Sequence, residues 1–275
     1  MWQQVRLGLF AAYDVAYMIY HLKSAPLIWW YGWRKREAEM NDLVYRKARI
    51  WGQMIMAHFG CEVEVIGAEH LPQGGPLVVW CNHQSYYDIP LLLAFLGRPA
   101  GFVIKRELIR VPILAYWMKR IHCRVLDRED PRSASHSFGR WSKELAAGDR
   151  CLVIFPEGTR TRHPHGIIGP FRRGSLRLAE SQGIPILPVS IDGTRYLANP
   201  RALAATRGGG RVVRIKIGPP RRTGGMSAPE AKRFVGSLRA AIVANWESIR
   251  VTWPGSAPAG NGGDRADGSI SGRAS

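Results

Sequence analysis

A chain of 275 residues, 46% of them hydrophobic, has enough apolar mass for one substantial core, and its composition excludes long disorder. No period of twenty to fifty residues repeats, which excludes a solenoid. The net charge of +18 points to an anionic partner, whether nucleic acid, a phospholipid surface or a phosphorylated substrate; residues 201–250 alone carry eleven Lys/Arg against two Asp/Glu.

In chain order, residues 7–20 (LGLFAAYDVAYMIY) are apolar on nearly every side but interrupted by Asp14. An acid at mid-membrane is costly and the apolar stretches fall short of the roughly 20 residues of a span, so this reads as an interfacial segment. Asp14 also argues against a cleaved signal peptide. Trp29, Trp30, Tyr31 and Trp33 follow, then Arg34, Lys35 and Arg36, a pairing suited to the boundary between lipid headgroups and acyl chains. A second helix over 38–58 aligns Val44, Ala48, Trp51 and Ile55 on one stripe. Residues 1–60 are therefore expected to form membrane-anchoring interfacial helices, the alternative being a helical hairpin packed on its own domain.

From residue 61 strands and helices alternate. Strands are expected at 61–66, 76–81, 101–105, 122–127, 151–155, 185–191 and 211–217. Helices are expected at 86–96, 109–119, 133–147, 174–182 and 228–249. Ser85 and Ser133 mark helix starts, and Ser227 with Glu230 forms a capping-box pattern. Near-continuous apolar strands between helices predict a single α/β domain over 61–253, its largely parallel or mixed sheet covered by helices. Residues 254–275, rich in Gly, Ser, Ala and Pro, read as a disordered tail. Cys61, Cys81, Cys123 and Cys151 include no C-x-x-C pair and read as reduced, buried thiols in a protein facing the cytosol.

Chemistry concentrates at strand ends. In NHQSYYD (82–88), His83 follows an apolar strand and Asp88 lies in the first turn of the next helix. A histidine there can take a proton from a hydroxyl if its other ring nitrogen donates to a carboxylate, and Asp88 is close enough to fold back onto it. Asp88 also suits a helix start, where a carboxylate favours the dipole and caps the first turn. In FPEGTR (155–160), Pro156 and Gly158 predict a tight turn presenting Glu157 and Arg160, and FRRG (171–174) places Arg172 and Arg173 before another helix. Arg128 follows the strand HCRVLD. Arginines at such places can grip phosphate, although each alone also suits a surface ion pair; a Glu157–Arg160 pair would stabilise the turn.

These stretches together resemble the glycerolipid acyltransferases. NHQSYYD matches the N-H-x4-D signature, and FPEGTR the acceptor-site motif. FRRG is similar to the family's F-K-K-G, VLDR (125–128) to its second block and IPILPV (184–189) to its fourth. FVIKREL, with Lys105 and Glu107, is similar to the stretch between the first two blocks. The second block departs most, HCRV replacing a glycine and aromatic. The resemblance implies direct acyl transfer from acyl-CoA or acyl-carrier protein to the free sn-2 hydroxyl of 1-acyl-glycerol-3-phosphate, giving phosphatidic acid without cofactor or metal. His83 would be the general base and Asp88 its partner. Arg128, Glu157, Gly158, Thr159 and Arg160 would bind the acceptor, and Lys105 would contact the oxyanion or donor. A lyso-ornithine lipid is the alternative acceptor. The partners implied are a phospholipid membrane, the lysophospholipid and the acyl donor, at the cytoplasmic face of a membrane, the bacterial inner membrane.

Rival chemistries lack support in the sequence. No G-x-S-x-G elbow surrounds Ser85, and Cys81 lies within a strand. His163 and His165 lack further metal ligands. No zinc-finger spacing, basic heptad or RNA-binding aromatic signature supports nucleic-acid binding, despite ten tryptophans.

Overall fold

The computed structural model describes residues 12–126, 131–161, 163, 166–206 and 209–253, with backbone only at 131–135 and 200. Seven strands form one sheet in the order β1-β7-β6-β2-β5-β3-β4. They are β1 (Cys61–Ile66), β2 (Leu77–Cys81), β3 (Ala100–Lys105), β4 (Arg124–Leu126), β5 (Cys151–Ile154), β6 (Ile186–Asp192) and β7 (Arg211–Ile217). Every pairing is parallel except β6 with β7, so β1 and β7 run against the other five.

The central strands are buried along their whole length, because helices cover both faces. Alternation along β2 divides the core. Leu77, Val79 and Cys81 face a cluster containing Ile55, Met56, Leu91 and Leu92. Val78 and Trp80 face one containing Phe138, Trp141, Leu178, Leu238 and Ile242. Helices α3 (Glu37–His58) and α4 (Asp88–Phe95) build the first layer; α6 (Pro131–Ala146), α7 (Arg177–Glu180) and α10 (Ala228–Ser248) build the second.

Ahead of the sheet, helix α1 covers residues 12–20, a 3-10 turn spans His21–Ser24, and α2 spans Ala25–Trp33. The predicted stripe on α3 faces inward: Val44 and Ile55 are buried, with Ala48 and Trp51 half-buried. Gly52 permits this docking, because a Cβ there would come within 2.2 Å of the Pro90 carbonyl oxygen on α4. Helix α3 is thus continuous with the core, while α2 buries Ile28 and leaves Trp29 67% and Trp33 64% exposed. Among the described residues no helix is long and apolar enough to cross a membrane.

The strand positions agree with the sequence to within two residues. Helix α4 begins at Asp88, two residues later than expected, because Ser85 Oγ accepts the Tyr87 N–H in a turn ahead of it and Asp88, not Ser85, opens the helix. Residues 173–180 form a 3-10 turn (Arg173–Leu176) and a single α-turn where one helix is expected. Helices α8 (Thr194–Leu197) and α9 (Pro200–Ala205), between β6 and β7, are additional; α5 (Pro112–Arg120) and the Ser227–Glu230 capping box are as expected. The described part of α6 already includes Ser133, so Ser133 is not its cap. Residues 7–11, Arg128, His165 and 254–275 lie outside the described residues.

Candidate active site

The site gathers at the C-terminal ends of β2, β5 and β6, adjacent strands whose following loops meet. The loop after β2 begins with Asn82, whose side chain donates to the Ile191 carbonyl at 2.9 Å and accepts the Ile191 N–H at 2.8 Å. Asn82 thereby pins the loop to β6 as one further ladder residue would, and fixes the emergence of His83.

His83 and Asp88 meet as their spacing allows. His83 Nδ1 is 2.7 Å from Asp88 Oδ2, with the imidazole 16% exposed and the carboxylate fully buried. The same oxygen accepts the backbone N–H groups of Gln84 at 2.7 Å and Ser85 at 3.0 Å, and Oδ1 accepts the Thr194 hydroxyl. Asp88 is therefore both the first residue of α4 and the partner of His83. With three other donors satisfied, the carboxylate is left to accept from His83, which holds Nδ1–H as donor and leaves the lone pair on Nε2. The Phe155 ring lies against the imidazole at 4.0 Å between centroids and 15° between planes, which limits the swing of the ring.

The FPEGTR turn docks on this loop through the backbone. Glu157 Oε1 accepts the His83 N–H at 2.9 Å, and Thr161 N–H donates to the His83 carbonyl at 2.8 Å. Glu157 Oε2 accepts the Gly169 N–H at 2.9 Å. The expected Glu157–Arg160 pair does not form: both carboxylate oxygens are taken by amides, and Arg160 instead lies over the exposed Tyr86 ring, 3.7 Å from its centroid. Burial raises the Glu157 pKa, opposed by the Gly169 and His83 amides and by the His83 charge. Gly158, at φ +72°, makes room for Arg172, whose Nε would lie 2.7 Å from a Cβ there. Thr159 and Arg160 are exposed beyond the turn. Lys105 is exposed at the end of β3, with β5 between it and the His83 strand.

Covalent catalysis through Cys81 is disfavoured by its surroundings. All four cysteines are free, and the Cys81 thiol is buried, its pKa pushed well up by desolvation and then by the Asp88 and Glu157 charges.

Sequence reasoning missed the ring of polar groups behind the pair. Thr194, the buried hydroxyl after β6, also lies 3.3 Å from Gln84 Oε1, and Gln84 Nε2 donates to Asp192 Oδ1 at 2.7 Å. Asp192, at the end of β6, accepts the Trp246 indole N–H at 3.0 Å and the Val251 N–H at 2.8 Å and pairs with Arg195. One signal was present: IDGT ends an apolar strand as NHQS does, although neighbourhood of the two strands is set by topology.

Residues 62–192 match a family model described as Acyltransferase. A 1-acyl-sn-glycerol-3-phosphate acyltransferase of Pseudomonas aeruginosa is 33% identical over 170 residues, 62% of this chain and 62% of that protein. One from mouse, an alpha form, is 30% identical over 70% of this chain and 66% of its own length. The chain spans about 42% of a Brassica napus chloroplast relative and about 65% of a yeast one. The crystal structure of the 1-acyl-sn-glycerophosphate acyltransferase of Thermotoga maritima superimposes with a TM-score of 0.64 at 24% identity, covering 91% of this chain and 99% of that one, a likeness of fold. With the family model lying across β1 to β6 and the His83–Asp88 pair inside it, residues 62–192 form a domain of the Acyltransferase family, similar to the 1-acyl-sn-glycerol-3-phosphate acyltransferases.

Proposed function

We propose that this protein transfers a fatty acyl group from an acyl thioester, on coenzyme A or acyl-carrier protein, to the sn-2 hydroxyl of 1-acyl-glycerol-3-phosphate. The observation that carries the reading is the 2.7 Å contact of His83 Nδ1 with a fully buried Asp88 carboxylate, which leaves the lone pair on Nε2. The names of the relatives support the acceptor.

The geometry suits a direct transfer. His83 Nε2 takes the hydroxyl proton as the oxygen attacks the thioester carbonyl; Asp88 stabilises the imidazolium that forms, as the carboxylate of a hydrolase triad does. The tetrahedral intermediate collapses, the C–S bond breaks, and Nε2–H returns the proton to the departing thiolate. Arg160, over Tyr86 of the His83 loop, is the group proposed for the acceptor phosphate, and Glu157 would serve by fixing the His83 backbone. Lys105 and the amides of the 156–160 turn are the groups proposed for the oxyanion, and Arg128 for the acceptor.

The exposed Trp29, Trp33, Tyr13 and Ile19 and the basic run after α2 support attachment to a membrane surface through α1 and α2, at its cytoplasmic face. Incubation of the full chain with labelled oleoyl-coenzyme A and a panel of lysolipids with and without phosphate tests the assignment. Preferential acylation of 1-acyl-glycerol-3-phosphate is expected. Preference for lyso-ornithine lipid would replace the acceptor, and failure to acylate any lysolipid would overturn the activity.

A further inference from the structure

Behind Phe155, on the sheet face opposite α3 and α4, lies a cavity of about 530 Å³. Its floor is apolar, formed by Val103, Leu126, Phe138 and Ile154. Its mouth carries Arg172, Arg173 and Arg177, all exposed, with Glu180 the single carboxylate in the lining. Three guanidinium groups above an apolar floor fit a ligand with a phosphate at one end and an uncharged arm at the other.

Phe155 and the turn after it relate this cavity to the reacting atoms: the Phe155 ring lies against the His83 imidazole, Glu157 accepts the His83 N–H, and Phe155, Pro156 and Gly158 border the cavity. Arg160 lies over Tyr86 of the His83 loop, and neither residue is in the cavity lining. Direct transfer requires two anionic substrates to reach Nε2 together, so each needs its own phosphate grip. We infer that the cavity is the donor site: Arg172 and Arg173 hold a phosphate of the donor while its phosphopantetheine arm crosses the apolar floor, bringing the thioester past Phe155 to His83. This rests on the acyl-transfer reading and adds a division of the two arginine groups between the two substrates.

The test combines kinetics and binding on the full chain. Arg173→Ala and Arg173→Glu are the main variants, because Arg172 packs on Gly158 and its loss would disturb the FPEGTR turn. Melting curves establish folding. Arg173→Ala should raise the donor KM roughly 10-fold or more, the scale of one charge-assisted contact, and Arg173→Glu should raise it further, with the acceptor KM unchanged. Arg160→Ala should do the reverse. A rise with both acyl-CoA and acyl-carrier protein would identify the pantetheine phosphate; a rise with acyl-CoA alone would identify the nucleotide phosphates, still in the donor site. A raised acceptor KM with unchanged donor KM, or no change with either donor, would overturn the inference. Calorimetric titration with coenzyme A gives a readout independent of turnover: Arg173→Glu should weaken binding about 10-fold or more and Arg160→Ala should not. Equal coenzyme A affinity in the wild type and Arg173→Glu would overturn the inference even if no acyl transfer were found, and weakened binding without transfer would sustain the site while removing the reaction.

Discussion

Glu157 holds His83 by its backbone: Oε1 accepts the His83 N–H at 2.9 Å while Oε2 accepts the Gly169 N–H. One carboxylate therefore ties the loop after β2 to both ends of the loop after β5, and it does so only as an acceptor at both oxygens.

Glu157→Gln should for that reason be poorly tolerated. An amide supplies one acceptor and sets an NH2 against the second N–H, costing about 1–3 kcal/mol. A fall in Tm of several degrees with reduced turnover is expected from calorimetry and steady-state assay. An unchanged Tm would mean that burial keeps Glu157 protonated and that an amide replaces it without loss.

Thr194 should act on the rate through Asp88. Thr194→Val keeps the shape and removes the donor to Oδ1, so the carboxylate loses one of the contacts that aim it at His83. Turnover should fall roughly 10-fold with both KM values unchanged, and Thr194→Ser should restore it. A lowered Tm with unchanged turnover would reduce Thr194 to packing.

Asp14 gives the fold a pH dependence. Burial lifts its pKa to about 6, the Trp51 indole lowering it only in part, and Asp14 Oδ1 has no hydrogen-bond partner among the described residues. The folded value lies above the unfolded one, so the folded state binds the extra proton. The associated stability is complete below about pH 4 and is lost as pH rises through about 6. Asp14→Asn should match the wild type near pH 4 and exceed it above pH 6 by about 1 kcal/mol, allowing for screening of a half-exposed group. Melting curves across pH without lipid measure this; parallel curves would place Asp14 in water.

Trp29 and Trp33 stack at 6.4 Å between centroids on the exposed side of α2, with the Arg34 guanidinium 5.0 Å from the Trp33 ring. Changing both to Ala should lower partition into anionic vesicles roughly 10-fold or more and leave the melting curve in place, since neither ring is buried. Salt should weaken wild-type binding only in part, because insertion is not screened as charge attraction is. Complete release by salt alone would make the attachment purely electrostatic. Substitution is a cleaner test than removing residues 1–60, because α3 contributes Ile55 and Met56 to the core.

Much of this was legible because strands buried on both faces read as unbroken apolar runs, and because NHQSYYD and FPEGTR each follow one. The His83–Asp88 contact could be expected from spacing, since a five-residue loop folds back on itself. Long-range partners could not: Thr194 is 106 residues from Asp88, and the two meet only because β6 pairs with β2. The Glu157–Arg160 expectation failed because charge matching on paper ignores backbone amides, and two N–H groups in the interior satisfied the carboxylate first. The short helices α8 and α9 lack the length that makes an amphipathic period visible.

The central claim is that His83 is the base for acyl transfer, and the turnover of His83→Ala on 1-acyl-glycerol-3-phosphate with acyl-CoA tests it most directly. The account predicts a fall in kcat of about 10²–10⁴ with melting curve and vesicle binding retained, because the imidazole is partly exposed and its removal leaves Asp88 bonded to Gln84, Ser85 and Thr194. Turnover within a few-fold of the wild type would contradict it.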